Sequence, residues 1–188
     1  METVNFVLGG LGGQGILFMT KIMAQAALSN GYHIMGAETH GMAQRGGSVV
    51  SHLRLGQVEG SLVAAGKAHF LLALDENEAY RNIPFLAEGG GMFANAEGNA
   101  FPRKETRAYL EKNRVLSRSL PAGKLAMDLG APLSTNLALL GFFSAFDEGP
   151  LGREELRKTV EAVSPERFQE INLKVFDAGL EKGERWTG

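Results

Sequence analysis

The sequence predicts one α/β domain over residues 1–188, with a mostly parallel sheet and a helical C-terminal portion. In its first half, short apolar runs typical of strands alternate with stretches of helical periodicity. In its last third, helical periodicity dominates. The chain has 188 residues, of which 44% are hydrophobic, so it can build one compact domain but not two full-sized ones.

The chain opens with the pattern of a βαβ unit. Val4–Leu8 is a β-prone run that ends at a glycine cluster, and Gln14–Leu28 has the apolar spacing of a helix. Asn30-Gly31 stops that helix, and Tyr32–Met35 is predicted to be the second strand. Strand, glycine loop, helix and strand follow one another as a βαβ unit requires.

The middle of the chain predicts further strands over Val49–Leu55, Phe70–Leu74 and Gly89–Phe93. Phe70–Leu74 is continuously apolar, which is typical of a strand covered on both faces. Asp75 follows it with Glu78 three residues later, the spacing of a capping box, so a helix is expected from there through Leu86, with Pro84 as a candidate break. His52 and Arg54 share one face of their strand, which we expect to be solvated.

Helices are predicted for most of what remains. Residues 103–113 form one, and Arg114–Leu116 form a short strand after it. Residues 120–146 are helical and apolar, with interruptions at Gly130 and Pro132. Two more helices follow, around 156–163 and 168–176.

Composition excludes several classes of protein. A net charge of −2 without a basic stripe argues against a nucleic-acid-binding surface. Because there is no cysteine, the chain alone has no disulfide framework, no thiolate nucleophile and no iron–sulfur cluster. The start lacks the pattern of a secretory signal, and the longest nearly apolar stretch, Leu137–Phe146, is too short to cross a membrane. We therefore expect a soluble, cytoplasmic protein.

Glycine is the compositional outlier, at 25 of 188 residues. The cluster Gly10–Gly15 lies between a predicted strand and helix, where backbone amides and the helix N-terminus can hold an anion. Three interpretations remain open for it: a tight turn, anion binding, or a contact with another subunit. Glu38 lies near the end of the second predicted strand, where a dinucleotide site places its ribose-binding acid.

A second loop, Thr39–Gly47, follows directly, and an ordinary dinucleotide domain has no need of it. The guanidinium of Arg45 is suited to a bidentate contact with a carboxylate or phosphate, or to an interface salt bridge that locks the loop. Glu38 and His40 either contact a ligand across an interface or form a buried structural pair. Met42 is expected to pack against a partner as an adaptable apolar side chain.

Taken together, the two loops resemble a known family. The chain reads G-L-G-G-Q-G-I at 10–16 and E-T-H-G-M-A-Q-R-G-G-S-V-V-S-H-L-R at 38–54. This pair resembles the gamma-type domain of 2-oxoacid:ferredoxin oxidoreductases, and the form at 40–49 is most similar to the small (beta) subunits of the indolepyruvate enzymes. Similarity at 74–75, 136–141 and 172–179 extends it over nearly the whole chain.

The resemblance implies a Rossmann-like three-layer fold and a subunit that is inactive alone. In this family, thiamine diphosphate and the [4Fe–4S] clusters lie on a larger partner, and none of these is expected on this chain alone. The complex converts an aryl 2-oxoacid to its acyl-CoA, with CoA as co-substrate, and passes electrons to ferredoxin. Two alternatives remain open: an independent NAD- or flavin-binding protein, and an assembly or regulatory paralogue.

The candidate residues are assigned to cofactor binding or to the interface, with no catalytic residue and no metal ligand among them. They are Gly10, Gly12, Gly13, Gln14, Gly15, Glu38, His40, Gly41, Met42, Gln44, Arg45, Gly46 and Gly47. The larger subunit is the expected partner, nucleic acid and membrane are not, and the isolated chain is a candidate homodimer because two exposed partner surfaces can cover each other.

Overall fold

The computed structural model of the protein describes residues 2–41, 46–98 and 100–187. Within these residues the sheet has six strands, in the order β2-β3-β1-β4-β5-β6. Their bounds are β1 Val4–Leu11, β2 Ile34–His40, β3 Ser48–Leu55, β4 Ala68–Ala73, β5 Leu86–Asn95 and β6 Leu116–Leu120. Only β3 runs against the others, because its pairings with β1 and β2 are antiparallel and the remaining pairings are parallel. The predicted mostly parallel sheet is confirmed.

The helices form a layer on each face of the sheet. They are α1 Ile16–Ser29, α2 Glu76–Asn82, α3 Lys104–Lys112, α4 Ala122–Asp128, α5 Thr135–Ser144, α6 Arg153–Val163 and α7 Glu166–Glu184. One hydrophobic core joins the sheet to α1 and α4–α7, and the other joins it to α2 and α3. The three-layer α/β prediction is therefore confirmed, as is the helical C-terminal portion. Within the described ranges, none of the helices is both long and apolar enough to cross a bilayer.

The strand β3 changes the expected βαβ opening. β1 and β2 are parallel and joined through α1, but β3 lies between them and pairs with both, from Val4↔Leu55 to Leu11↔Ser48 and from Ile34↔Leu55 to His40↔Val49. β2 is consequently an edge strand, and Glu38, Thr39 and His40 at its end are exposed.

β1 continues three residues beyond its predicted end at Leu8. Gly9 and Gly10 are buried strand residues, and Gly10 pairs with Val49. A Cβ atom at Gly10 would lie 2.9 Å from both Gln14 Oε1 and Ile16 Cδ1, so the first turn of α1 packs directly on the strand backbone. The first loop therefore begins at Gly12, and α1 begins at Ile16 instead of Gln14.

Other predicted boundaries move as well, and β2 is Ile34–His40 instead of Tyr32–Met35, so the second loop starts at Gly41 instead of Thr39. α2 ends at Asn82, before a short 3₁₀ turn over Ile83–Phe85, because Pro84 cannot continue a helix. The last strand is Leu116–Leu120 instead of Arg114–Leu116, since Arg114 has a positive φ of 54° and lies in the turn that follows α3. The break expected near Pro84 is thus confirmed, whereas the bounds of the last strand were misplaced.

Candidate functional site

The first glycine loop follows the carboxyl end of β1, and the second connects the end of β2 to the start of β3, so both lie at the sheet edge where the parallel strand β4 also ends. The helix after β1 packs on one face of the sheet, and the helix after β4 packs on the other. The two strands are neighbours, so the connections diverge between them and leave a crevice. Open α/β sheets bind their ligands at such a switch point. The sequence therefore located its candidate site at the functional edge of this fold.

The side chain and the backbone of Gln14 close the first loop through hydrogen bonds to Leu11. The Leu11 amide donates to Gln14 Oε1 at 2.7 Å, and the Gln14 amide donates to the Leu11 carbonyl at 3.1 Å. Gly13 and Gly15 have positive φ values of 94° and 82°, which favour glycine. Gln14 thus holds the loop in shape, while Gly12 and Gly13 are exposed at its tip.

A residue far along the chain fixes the start of α1. The buried Asn136 on α5 donates from Nδ2 to the carbonyl of Gly15 at 3.0 Å. A Cβ at Gly15 would collide with this amide group. Among the described residues, no side chain caps the helix through a hydrogen bond. Asn136 was assigned no role from the sequence, although a polar residue at the start of a largely apolar helix was a usable signal.

Backbone hydrogen bonds join the second loop to the first. The Gly12 amide donates to the Gly47 carbonyl at 2.9 Å, and the Gly41 amide donates to the Ser48 carbonyl at 2.7 Å. The structure therefore brings Gly12, Gly41 and Gly47 together, while their assignment to cofactor binding or to an interface stays a prediction. Met42, Gln44 and Arg45 lie outside the described residues, so the roles predicted for them stay predictions.

Glu38 and His40 are not a buried pair. His40 Nε2 and Glu38 Oε2 lie 3.7 Å apart on the edge strand, with side chains 55% and 41% exposed respectively. The expectation of burial was wrong because β3, and not β2, occupies the place next to β1. A dinucleotide site needs its acid at the end of a strand next to the glycine loop, and Glu38 is separated from β1 by β3. The nucleotide-binding alternative loses that support.

Two concave surfaces adjoin the loops. The glycine-loop cavity has a volume of about 500 Å³ and is lined by Leu11, Gly12, Gly13, Gly15, Ile16, Leu17, Phe18, His40 and Val49. The apolar groove has a volume of about 400 Å³, and its lining includes Phe18, Pro132, Leu133, Leu137, Phe168 and Ile171. The two share Gly15 and Phe18, so they form one continuous, mostly apolar surface.

Asp75 caps α2 as predicted, accepting hydrogen bonds from the amides of Asn77 at 2.9 Å and Glu78 at 3.2 Å. Glu78 does not complete the capping box. Its carboxylate accepts instead from Ser48 Oγ at 2.6 Å and from Arg81 Nη1 at 2.7 Å, with the Glu78 side chain only 2% exposed. No local pattern indicates that Glu78 contacts the residue after the second loop, because that contact spans the sheet edge.

His52 is buried, contrary to the solvated face expected for it. Its Nδ1 accepts a hydrogen bond from the Val63 amide at 3.2 Å, and its ring meets Phe85 edge-on, with centroids 5.1 Å apart. Burial lowers the pKa of His52 below its usual value of 6.5, because the charged imidazolium loses hydration. The 52–63 segment and the turn after α2 cover a face that the sequence left open.

The residues present do not suit a metal cofactor of this chain's own. An iron–sulfur cluster is held mainly by cysteine thiolates, and the sequence contains none. Across residues 2–41, 46–98 and 100–187, no three His, Asp or Glu side chains are close enough to hold an ion. The described part of the site is built mainly from backbone amides, glycines and apolar side chains, with His40 and Asn136 among its polar groups.

Comparisons with known proteins find relatives over nearly the whole chain. The family of pyruvate ferredoxin/flavodoxin oxidoreductases matches residues 5–182. The indolepyruvate oxidoreductase subunit IorB of Thermococcus kodakarensis is 32% identical over 203 residues and covers 100% of both chains. That of Pyrococcus horikoshii is 34% identical over 193 residues and covers 96% of both.

A solved structure has the same fold over almost its full length. The gamma subunit of a keto/oxoacid ferredoxin oxidoreductase from Geobacter sulfurreducens superimposes with a TM-score of 0.74 at 25% identity. The superposition covers 97% of this chain and 99% of that one. Family match, relatives and fold agree, and the chain belongs to the pyruvate ferredoxin/flavodoxin oxidoreductase family.

Proposed function

We propose that this chain is the small, cofactor-free subunit of a 2-oxoacid:ferredoxin oxidoreductase whose substrate is indolepyruvate or another aryl 2-oxoacid. The observation that carries the proposal is the joining of the two glycine loops at Gly12 and Gly47, beside an open apolar groove. The surface is exposed and mostly apolar, as an interface is, and no group of catalytic side chains is found on it among the described residues. Relatives that align over the full chain are named as subunits of indolepyruvate oxidoreductase.

The exposed apolar side chains support a docking role. Leu133 is 84% exposed, and Phe168 and Leu17 are 45% and 44% exposed. All three lie on the continuous surface formed by the groove and the glycine-loop cavity. Apolar side chains concentrated in one patch mark interaction sites on soluble proteins. We assign this surface to the larger subunit.

The division of chemistry between the subunits is proposed from the family resemblance, and the lack of cysteine in this chain supports it. The larger subunit is proposed to carry thiamine diphosphate and the [4Fe–4S] clusters, since this chain has no thiolate for a cluster. CoA is the co-substrate of the complex, and ferredoxin is its electron acceptor. The product is the acyl-CoA left after loss of carbon dioxide. This chain contributes an interface and shapes the entrance to the site.

The test is reconstitution of the complex under anaerobic conditions. The tagged chain is used to capture its partner from native extract, and the product is assayed for indolepyruvate- and CoA-dependent reduction of viologen. We expect an iron–sulfur protein to copurify, with activity in the complex and none in the isolated chain. Turnover of a 2-oxoacid by the isolated chain would overturn the proposal, as would a captured complex that is inactive with every 2-oxoacid tried.

Substrate choice is tested in the same preparation. Indolepyruvate, phenylpyruvate, pyruvate and 2-oxoisovalerate are compared by kcat/KM. An aryl substrate is expected to be preferred, and a preference for pyruvate would retain the subunit role while correcting the substrate.

The nucleotide-binding alternative is tested on the isolated chain. Calorimetry with NAD, NADP, FAD and FMN should give no heat of binding if the glycine loops serve a partner. Micromolar affinity for one of these nucleotides would favour an independent nucleotide-binding protein. If the isolated chain is a homodimer, addition of the larger subunit should dissociate it, because both partners would use the same surface.

A further inference from the structure

The residues Gly47 and Ser48 are the point at which three elements meet. The carbonyl of Gly47 accepts from the first loop at Gly12, and the carbonyl of Ser48 accepts from Gly41, where the second loop starts. The hydroxyl of Ser48 donates to Glu78 on α2 at 2.6 Å. A shift of Ser48 would therefore move both loops relative to the sheet.

The position of Glu78 is unusual for a carboxylate. Its side chain is 2% exposed, next to the crevice between β1 and β4, and its Cβ would be 3.7 Å from a Cβ at Gly9. Burying an ionised carboxylate is costly even when it is paired, and apolar residues of similar volume generally stabilise a fold at least as well. Among the described residues, its hydrogen-bond donors are Ser48 and Arg81.

Of the two donors, only Ser48 is itself hydrogen-bonded to a described residue of one of the glycine loops. Arg81 lies one turn along the same helix and its side chain is 63% exposed, so it compensates the charge without tying α2 to another element. The bond to Ser48 crosses from α2 to the first residue of β3. It fixes a direction and a distance that an apolar contact would leave free.

The geometry points to Glu78 as a positioning residue, whose carboxylate holds Ser48 and so keeps the two glycine loops in register for the larger subunit. This inference rests on the proposed function of the loops as part of the interface. Glu78 touches no substrate in this arrangement and acts only through Ser48. The expected consequence of losing the bond is a looser loop junction and a less productive complex.

The first test measures the junction on the full chain alone. Amide hydrogen exchange at Gly12 and Gly41 is followed by NMR in wild type, Ser48→Ala and Glu78→Ala. Loss of a hydrogen bond to a charged group is expected to accelerate exchange at both amides by about tenfold or more. Ser51→Ala is the matched control, since Ser51 is a buried serine of the same strand whose hydroxyl lies 3.0 Å from Thr20 Oγ1, away from the junction.

The second test uses the complex with the larger subunit. Ser48→Ala is expected to lower kcat/KM for the 2-oxoacid by about tenfold, the equivalent of one such hydrogen bond, while Tm stays near that of Ser51→Ala. Glu78→Gln keeps an oxygen acceptor for Ser48, so it should restore most of what Glu78→Ala loses. A merely structural role for Glu78 would lower Tm in Glu78→Ala and leave the kinetics of the folded complex unchanged.

The outcomes separate the two proposals. Unchanged exchange at Gly12 and Gly41 in Ser48→Ala overturns the positioning role, whatever the complex does. Faster exchange with unchanged kcat/KM in an active complex overturns it as well. A wild-type chain that fails to reconstitute activity contradicts the proposed function, while the exchange data still decide whether Glu78 holds the junction.

Discussion

Glycine has opposite tasks in the loops at the sheet edge and in the contact between α5 and α7. At Gly13, no other described atom approaches within 4 Å of where a Cβ would lie, and the constraint is the positive φ of 94°. At Gly179 on α7, the backbone is helical, but a Cβ would overlap the carbonyl of Ala138 on α5. One position requires glycine for its backbone angle, and the other for the space.

The difference shows how the two regions are built. Gly141 on α5 faces the carbonyl of Phe176, and Gly183 on α7 faces Phe142 and Ala145, so the two helix backbones touch along their length. That contact closes the larger core and is directed inward. At the tip of the first loop, Gly13 is directed outward, where the lack of a side chain leaves the backbone open to another molecule.

The largest effect is expected from Gly179→Ala. The methyl group cannot be accommodated without moving one helix backbone, and overpacking of this kind costs about 1–3 kcal/mol or more. The gain in helix propensity, about 1 kcal/mol, does not offset a backbone collision. We expect the free energy of unfolding in urea to fall by about 3 kcal/mol, with loss of folded protein as the extreme outcome.

Gly152→Ala is the matched control for this substitution. Gly152 precedes α6 with an ordinary φ of −67°, and no described atom lies within 4 Å of where its Cβ would be. Its substitution should cost no more than about 1 kcal/mol, as expected at a helix N-cap. Equal losses in the two variants would show that the α5–α7 contact is less tight than described.

A smaller loss is expected from Gly13→Ala. A left-handed backbone costs a non-glycine residue about 1–2 kcal/mol, and no steric clash adds to it. Gly13→Asn should recover part of this loss, because asparagine tolerates the left-handed region better. The measurement is again urea unfolding. A loss as large as that of Gly179→Ala would mean that the loop tip is packed and that the distinction between the two regions is wrong.

Acid should weaken the face that covers His52. The pKa of His52 is lowered by burial below its unfolded value near 6.5, so the unfolded chain binds more protons as the pH falls through that value. The associated stability is present above pH 6.5 and is lost as the pH falls toward the folded pKa. We expect the free energy of unfolding to be lower at pH 5.5 than at pH 7.5. The slope with pH should be smaller than the slope that uptake of one full proton on unfolding would produce.

His52→Asn separates this residue from other titrating groups. Asparagine can still accept from the Val63 amide but does not titrate, so the dependence on pH should become shallower. Some dependence will remain because burial also lowers the pKa of His69, against the opposing charge of Glu2. An unchanged slope in His52→Asn would assign the acid sensitivity to other groups.

The sequence predicted the architecture well because local patterns encode it. The apolar run Phe70–Leu74, the cap at Asp75 and the helical spacing of the last third all have short-range causes. The position of β3 was not predictable, since pairing a strand with two others depends on contacts far along the chain. The exposure of Glu38 and the burial of His52 both follow from that unpredicted position.

The candidate site was predicted in part. The first loop and the Gly41–Gly47 loop were identified from glycine spacing, and their meeting at Gly12 and Gly47 agrees with that identification. Asn136 and Glu78 were missed as supports because their partners lie on other elements. A polar residue inside an apolar helix was the available signal for Asn136, whereas Glu78 carried none beyond its apparent capping role.

The smallest effect on stability and a large effect on assembly are expected from Leu133→Ser. Leu133 is 84% exposed at the apolar groove, so the isolated chain loses little burial and its free energy of unfolding should change by no more than about 0.5 kcal/mol. If the groove docks the larger subunit, the lost apolar contact should weaken binding by about tenfold or more. Affinity is measured by titration of the purified subunits.

Met127→Ser is the control for that measurement. Met127 is 66% exposed and, among the described residues, does not line the groove. The two variants remove comparable exposed apolar side chains, so only a specific contact at the groove separates them. Weaker binding by Leu133→Ser alone would show that the groove contributes to binding of the larger subunit and not to the stability of the isolated chain. Equal affinities in both variants would show that the larger subunit does not bind at the apolar groove and that the interface lies elsewhere on the chain.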